Sequence, residues 1–152
     1  MRVTVETEID APHVDAWRLV TDIENAPATI QAIEKVEVLE RPRMGITGLK
    51  WRETRTMFGK TATEVMWVTN AVEGSHYETR AESHGSVYKT RIVLHDRNGR
   101  TGLAMTFECE PQSVGAKIMW SLTGFLFKGA TRKALAKDLA DIKTALERKP
   151  EA

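Results

Sequence analysis

The chain has 152 residues, 41% of them hydrophobic, and its 22 Lys and Arg against 21 Asp and Glu leave a net charge of +1. A chain of this size can bury roughly 68–70% of its unfolded surface without help from metals or disulfides, so residues 1–152 are expected to form one domain. The near-neutral balance offers nucleic acid or anionic membrane no global attraction, and the single cysteine, Cys109, excludes an internal disulfide and a cysteine-based metal site.

Residues 1–10 alternate apolar Val3, Val5 and Ile9 with charged residues and hold no apolar core of a secretory signal, so they read as a strand. Asp10-Ala11-Pro12 then starts a helix, with Asp10 as N-cap and Val14, Trp17 and Val20 or Thr21 following at helical spacing. A second short helical piece over 24–32 leads to a strand over 36–40. Residues 41–48, with one proline and two glycines, form a loop.

From 49 to 111 the pattern predicts five strands. The turn signals between them are Phe58-Gly59, Glu73-Gly74, His84-Gly85 and Asn98-Gly99, the spacing of an antiparallel meander. Residues opposite one another in antiparallel neighbours share a face, so the registers can be checked against each other. Two-residue turns set Trp51, Met66, Ala81 and Tyr88 in one row, Val68 opposite Thr79, Tyr77 opposite Ile92, and Glu53 opposite Glu64. Leu103, Met105, Phe107 and Cys109 fall opposite the even-numbered residues of the preceding strand. The other face carries His76, Glu78, Arg80, Lys89 and Arg91 and is therefore the solvent face. Trp67 lands there too, where it marks a self-association surface unless the register slips by one residue.

A helix is predicted from 113 to about 147. Its second half has a stripe of Leu135, Leu139, Ile142 and Leu146 opposed by Lys133, Lys137, Asp138, Asp141 and Lys143. The first half is apolar nearly all round, with Ile118, Met119, Trp120, Leu122, Phe125, Leu126 and Phe127, and has Gly115, Gly124 and Gly129 as points of bending or close approach. This half either walls a cavity or packs as ordinary core and a homodimer interface. Residues 118–127 are too few to span a membrane, so no integral membrane segment is expected, and a cytoplasmic location follows by elimination.

Several stretches carry a family resemblance: the opening strand running into Ala11-Pro12 with Trp17 and Asp22, then 51–59 (WRETRTMFG), Glu64 with Val68-Thr69, and 82–85 (ESHG). With the order strand, helix pair, six strands and long helix, the chain resembles the START-like (SRPBCC) superfamily. That superfamily includes the polyketide cyclase/dehydrase-and-lipid-transport proteins and the birch-pollen allergen. The resemblance implies an α+β helix-grip fold, in which a curved antiparallel sheet of about seven strands wraps a long C-terminal helix and two short helices follow strand 1. It also implies a pocket between sheet and helix for a lipid, polyketide or similar molecule. It implies no shared catalytic motif.

Within the inner face the unusual feature is Glu53, Arg55 and Glu64 among Trp51, Met57, Ala62 and Met66. Opposed carboxylates in a dry cavity either share a proton or are bridged by Arg55, and burial with like charge raises a carboxyl pKa, which suits an acid or base. Alternatively the three lie at the hairpin end, reach water and close the sheet edge as an ion pair, or they orient a ligand's polar end. Tyr77, Tyr88, Thr79 and Thr90 supply sparse polar decoration. His13, His76, His84 and His95 lack metal spacing, and neither a phosphate loop nor a nucleophile elbow occurs, so no metal or cofactor is expected.

The leading expectation is binding of a hydrophobic small molecule, with Trp51, Met66, Tyr77, Tyr88, Met105, Phe107, Ile118, Leu122 and Phe125 as wall and Glu53, Arg55 and Glu64 as polar contacts. Two rivals stand beside it. One is a polyketide cyclase or dehydratase-like enzyme using Glu53 or Glu64 as acid/base. The other is an interaction module that buries Trp67 and residues 118–127 against a partner protein or a membrane surface.

Overall fold

The computed structural model describes residues 1–57, 59–83 and 85–148, without the side chains of Met57 and Phe125. Phe58, His84 and the Met57 and Phe125 side chains, all singled out above, lie outside the described residues. The elements are β1 (Arg2–Ile9), α1 (His13–Thr21), a 3-10 helix (Ile23–Ala28), β2 (Ile33–Glu40), β3 (Lys50–Met57), β4 (Lys60–Val72), β5 (His76–Ser83), β6 (Ser86–Asp96), β7 (Thr101–Pro111) and α2 (Val114–Glu147).

All seven strands form one curved antiparallel sheet in the order β1-β7-β6-β5-β4-β3-β2, and α2 lies across it as in a helix-grip fold. The inner row Trp51, Met66, Ala81, Tyr88, Cys109 crosses five strands in the register expected from the turns. Asn98 and Gly99 both take positive φ, 57° and 89°, the conformation of a two-residue turn matched to strand twist. The β4–β5 turn departs from expectation. Val72 pairs with His76, so the loop has three residues, and a bulge between Val68 and Asn70 takes up the extra one. Val68 still faces Thr79, and every pair beyond the bulge keeps the expected face.

The core joins Ile9, Val68, Leu94 and Leu103 of the sheet to Leu139 and Ile142 of α2. Both edges of the sheet are covered. Arg132 Nη1 donates to the Thr4 carbonyl (3.1 Å) and Lys143 Nζ to that of Glu8 (2.7 Å), so α2 satisfies outward carbonyls of β1, while the 3-10 helix lies against β2. Ser113 caps α2, its Oγ accepting from Ala116 N at 3.0 Å. Gly85, with φ +73°, brings the β5–β6 turn against this cap so closely that a Cβ would sit 2.7 Å from Ser113 Oγ.

Four local expectations are corrected. Asp10 is not an N-cap: Pro12 occupies that position without a side-chain cap, and Asp10 instead donates its backbone N–H to Glu147 Oε2 at 2.9 Å. Val14 is exposed, and the buried face of α1 is Ala16 and Val20. The helical piece over 24–32 is a 3-10 turn ending at Ala28, because Pro27 withholds a backbone donor from any longer ladder. Strand β2 begins three residues early, at Ile33, whose buried side chain extends the inner face.

Candidate functional site

Between the concave sheet and α2 lies a cavity of about 500 Å³ with predominantly apolar walls. Of the expected site residues, Trp51, Glu53, Arg55, Glu64, Met66, Tyr77, Tyr88, Met105 and Phe107 all line it. Ile118 and Leu122 do not: they are 57% and 70% exposed. The helical repeat explains this. Phe127, Ala130, Thr131, Ala134 and Asp138 follow at three- and four-residue spacing along the cavity side, and that phase turns Ile118 and Leu122 outward. The middle of the helix face that bounds the cavity, between Phe127 and Leu135, is small. Ala130, Thr131 and Ala134 create the space, and a search for bulky apolar residues passes over them.

The polar end of the cavity is a buried ion cluster. Arg55 Nη1 donates to Asp138 Oδ2 at 2.8 Å and Arg55 Nε to Glu53 Oε2 at 3.3 Å, while Trp51 Nε1 donates to Glu53 Oε1 at 3.3 Å. The side chains of Arg55, Glu53 and Asp138 are 22%, 12% and 5% exposed, too enclosed for a solvated pair closing the sheet edge. Strand alternation sets Glu53 and Arg55 two residues apart on one face of β3, and Ile142, Asp138 and Leu135 bring the α2 partner over them. Asp138 was expected on the solvent face of α2 and is instead nearly inaccessible. The signal was present in its spacing, three residues after Leu135 and four before Ile142. Glu64 sits opposite Glu53 across β3 and β4 as expected and lines the cavity, but the carboxylate bridged to Glu53 by Arg55 is Asp138.

Burial pushes the Asp138 carboxyl above its ordinary 3.8; the Arg55 cation pulls the other way without cancelling it, and the Glu53 charge adds to the rise. Arg55 experiences the reverse balance. Burial disfavours its charge, but Asp138 and then Glu53 more than offset this and hold the guanidinium protonated. One oxygen of the cluster, Asp138 Oδ1, is buried with no hydrogen-bond partner among the described residues. An unpartnered buried acceptor is costly, and a donor placed in the cavity would relieve it.

Tyr77 has another role than the one expected. Its hydroxyl is committed to the Val20 carbonyl (2.7 Å), tying α1 to β5, and burial followed by the Glu53 charge drives its pKa far up. Thr79, Thr90 and Tyr88 remain as polar groups along the wall.

The raised Asp138 pKa predicts a pH effect. Because folding raises the pKa, the folded chain holds this proton more tightly than the unfolded chain. The contribution of Asp138 to stability is therefore fully present below 3.8 and falls as pH climbs through the raised folded value. Urea unfolding of Asp138→Asn and wild type across this range should show the variant gaining on wild type as pH rises. A difference running the other way would mean that Arg55 outweighs burial.

Among the described residues no helix is long and apolar enough to cross a membrane, and no set of three His, Cys, Asp or Glu side chains is arranged to hold a metal. The fold is similar to that of a START superfamily protein from Mycobacterium smegmatis (TM-score 0.82, 17% identity, covering 96% of this chain and 97% of that one). It is similar also to the Zhui aromatase/cyclase from Streptomyces sp. R1128 (TM-score 0.83, 15% identity, 100% and 96%) and to Ara h 8.0201 (TM-score 0.66, 15% identity, 97% and 99%). No curated protein matches the chain in sequence. The family model described as polyketide cyclase / dehydrase and lipid transport matches residues 1–147, and the chain belongs to that family.

Proposed function

We propose that the protein binds a neutral, largely apolar small molecule in the cavity and anchors it through a single hydroxyl-type donor at the Glu53–Arg55–Asp138 end. The observation that carries this reading is Asp138 Oδ1, buried and without a hydrogen-bond partner among the described residues, at the ionic end of a largely apolar space. A volume of about 500 Å³ suits a drug-sized ligand, and a few fixed polar groups in an apolar wall orient rather than merely retain one. Charge narrows the class. Four acids, Asp22, Glu53, Glu64 and Asp138, line the cavity against two cations, Arg55 and Lys60, and Arg55 is already paired with Glu53 and Asp138, so a carboxylate ligand at the Asp138 end would add a like charge where burial strengthens repulsion.

The test is displacement of a bound hydrophobic fluorophore by a fatty alcohol and a fatty acid of equal chain length. The alcohol should displace at a concentration at least about tenfold lower. Equal or better displacement by the acid would overturn the reading. Native mass spectra before and after organic extraction would identify a co-purifying ligand class directly.

A second reading, acid/base catalysis of cyclisation or dehydration in the same cavity, is favoured by the raised pKa of Asp138 beside Arg55, since a carboxyl shifted toward neutrality is suited to proton transfer. The fold shared with an aromatase/cyclase supports it. Turnover lost in Asp138→Asn, or in Glu53→Gln or Glu64→Gln, with ligand affinity retained would favour catalysis. Affinity lost in these variants, with no turnover of such substrates by the wild type, would favour binding alone.

A further inference from the structure

The first half of α2 has two faces. One meets the cavity; the other projects Val114, Ile118, Met119, Leu122 and Leu126 into solvent, each 57–75% exposed. Large apolar side chains gathered in one exposed patch mark a docking surface. The charge around them is one-sided. Residues 111–137 contain Lys117, Lys128, Arg132, Lys133 and Lys137 and no Asp or Glu, in a chain whose net charge is only +1. Among the described residues, Lys117, Lys128 and Lys133 form no ion pair. Along the outer face Ile118, Leu122 and Leu126 run on at helical spacing into Gly129, Lys133 and Lys137, so three turns of apolar surface pass directly into a cationic stretch.

We propose that this outer face of α2 docks the protein on an anionic lipid membrane, with Ile118, Leu122 and Leu126 entering the acyl boundary and Lys128 and Lys133 meeting the headgroups. An apolar convex helix flanked by lysines is the form suited to a penetrable, negatively charged interface. A second copy of the chain fits poorly, because pairing this face with itself would bring two acid-free cationic segments together. The mouth of the cavity adjoins the docking face: Phe127, 42% exposed, lines the cavity and stacks edge-on against Trp120 at 4.7 Å between ring centres. A docked protein would thus hold its cavity close to the lipid phase. Docking itself is independent of what the cavity binds.

Co-sedimentation of the full chain with mixed phosphatidylcholine–phosphatidylglycerol vesicles and with pure phosphatidylcholine vesicles tests this. Binding is expected on the anionic vesicles only, falling on the order of fivefold for each of Lys128→Gln and Lys133→Gln, and falling steeply as salt is raised to about 0.5 M. Leu122→Ser/Leu126→Ser, at positions exposed enough to spare the fold, should abolish it. Failure of the wild type to bind anionic vesicles, or binding that survives the leucine replacements, would overturn the proposal. So would a wild-type dimer in sedimentation equilibrium that the same replacements dissociate, which would give the face to a second copy. Ala134→Trp, which fills the cavity, should still sediment with anionic vesicles as the wild type does, so that failure of the ligand reading and failure of the docking proposal are told apart; loss of vesicle binding in this folded variant would overturn docking by the outer face alone.

Discussion

Replacing Arg55 by Met is expected to lower the stability of the protein by about 3–5 kcal/mol in urea unfolding at neutral pH, because it strands two carboxylates in a largely dry cavity. Among the described residues, Asp138 would lose its only hydrogen-bonded cation, and Glu53 would keep only the Trp51 indole N–H. Met is shorter than Arg but similar in volume, so the change removes charge and donors more than bulk. The cost arises from the buried charges left unpaired, which makes it reversible by a second change: Arg55→Met/Asp138→Leu should regain most of the loss. The double variant also keeps the functional question open if the single one folds poorly. It should bind a fatty alcohol no better than the matched hydrocarbon, since both the donor and the free oxygen are gone. A cost below about 1 kcal/mol for Arg55→Met would instead assign the cluster to solvent, as an ion pair closing the sheet edge.

Ala134→Trp is expected to weaken hydrophobic-probe binding by more than about tenfold while leaving the melting temperature unchanged or raised. Ala134 lies on the cavity side of α2, one turn before Asp138, and an indole built there projects into a space of about 500 Å³. A large residue in a filled core strains its neighbours, but one entering an existing void gains contacts and apolar burial. Ala136→Trp, on the exposed side of the same helix, is the matched control and should leave affinity alone. If Ala134→Trp bound the probe as wild type does, the probe would be sitting outside the cavity, and the exposed face around Leu122 would be the place to look.

The strand plan was legible in the sequence to an unusual depth because its determinants are local. Two-residue turns at Asn98-Gly99 and between Ser83 and Ser86 lock the register, and alternation then sorts Trp51, Met66, Ala81 and Tyr88 from Arg80, Lys89 and Arg91 without any knowledge of distant partners. The one misjudged turn, three residues from Glu73 to Ser75, was offset by the bulge at Thr69, so the inner face survived the error. Ser113 as the start of α2 and the core stripe of Leu139 and Ile142 were legible for the same reason: capping chemistry and a 3.6-residue period are written in neighbouring residues.

Only the tertiary structure decided how α2 is rotated against the sheet, and that rotation decides which of its residues line the cavity. A segment apolar nearly all round has no intrinsic inside, so nothing in residues 114–127 says that Phe127 meets the cavity while Ile118 and Leu122 meet solvent. Asp138 shows the converse. A carboxylate is placed on the wet face by its type, and here the guanidinium of Arg55, reaching from β3 across 83 positions of sequence, makes burial tolerable. Local alternation and turn chemistry therefore determined the sheet and both of its faces, whereas the ion cluster, the cavity and the outward apolar helix face depend on where a distant helix lands, and long-range packing sets that.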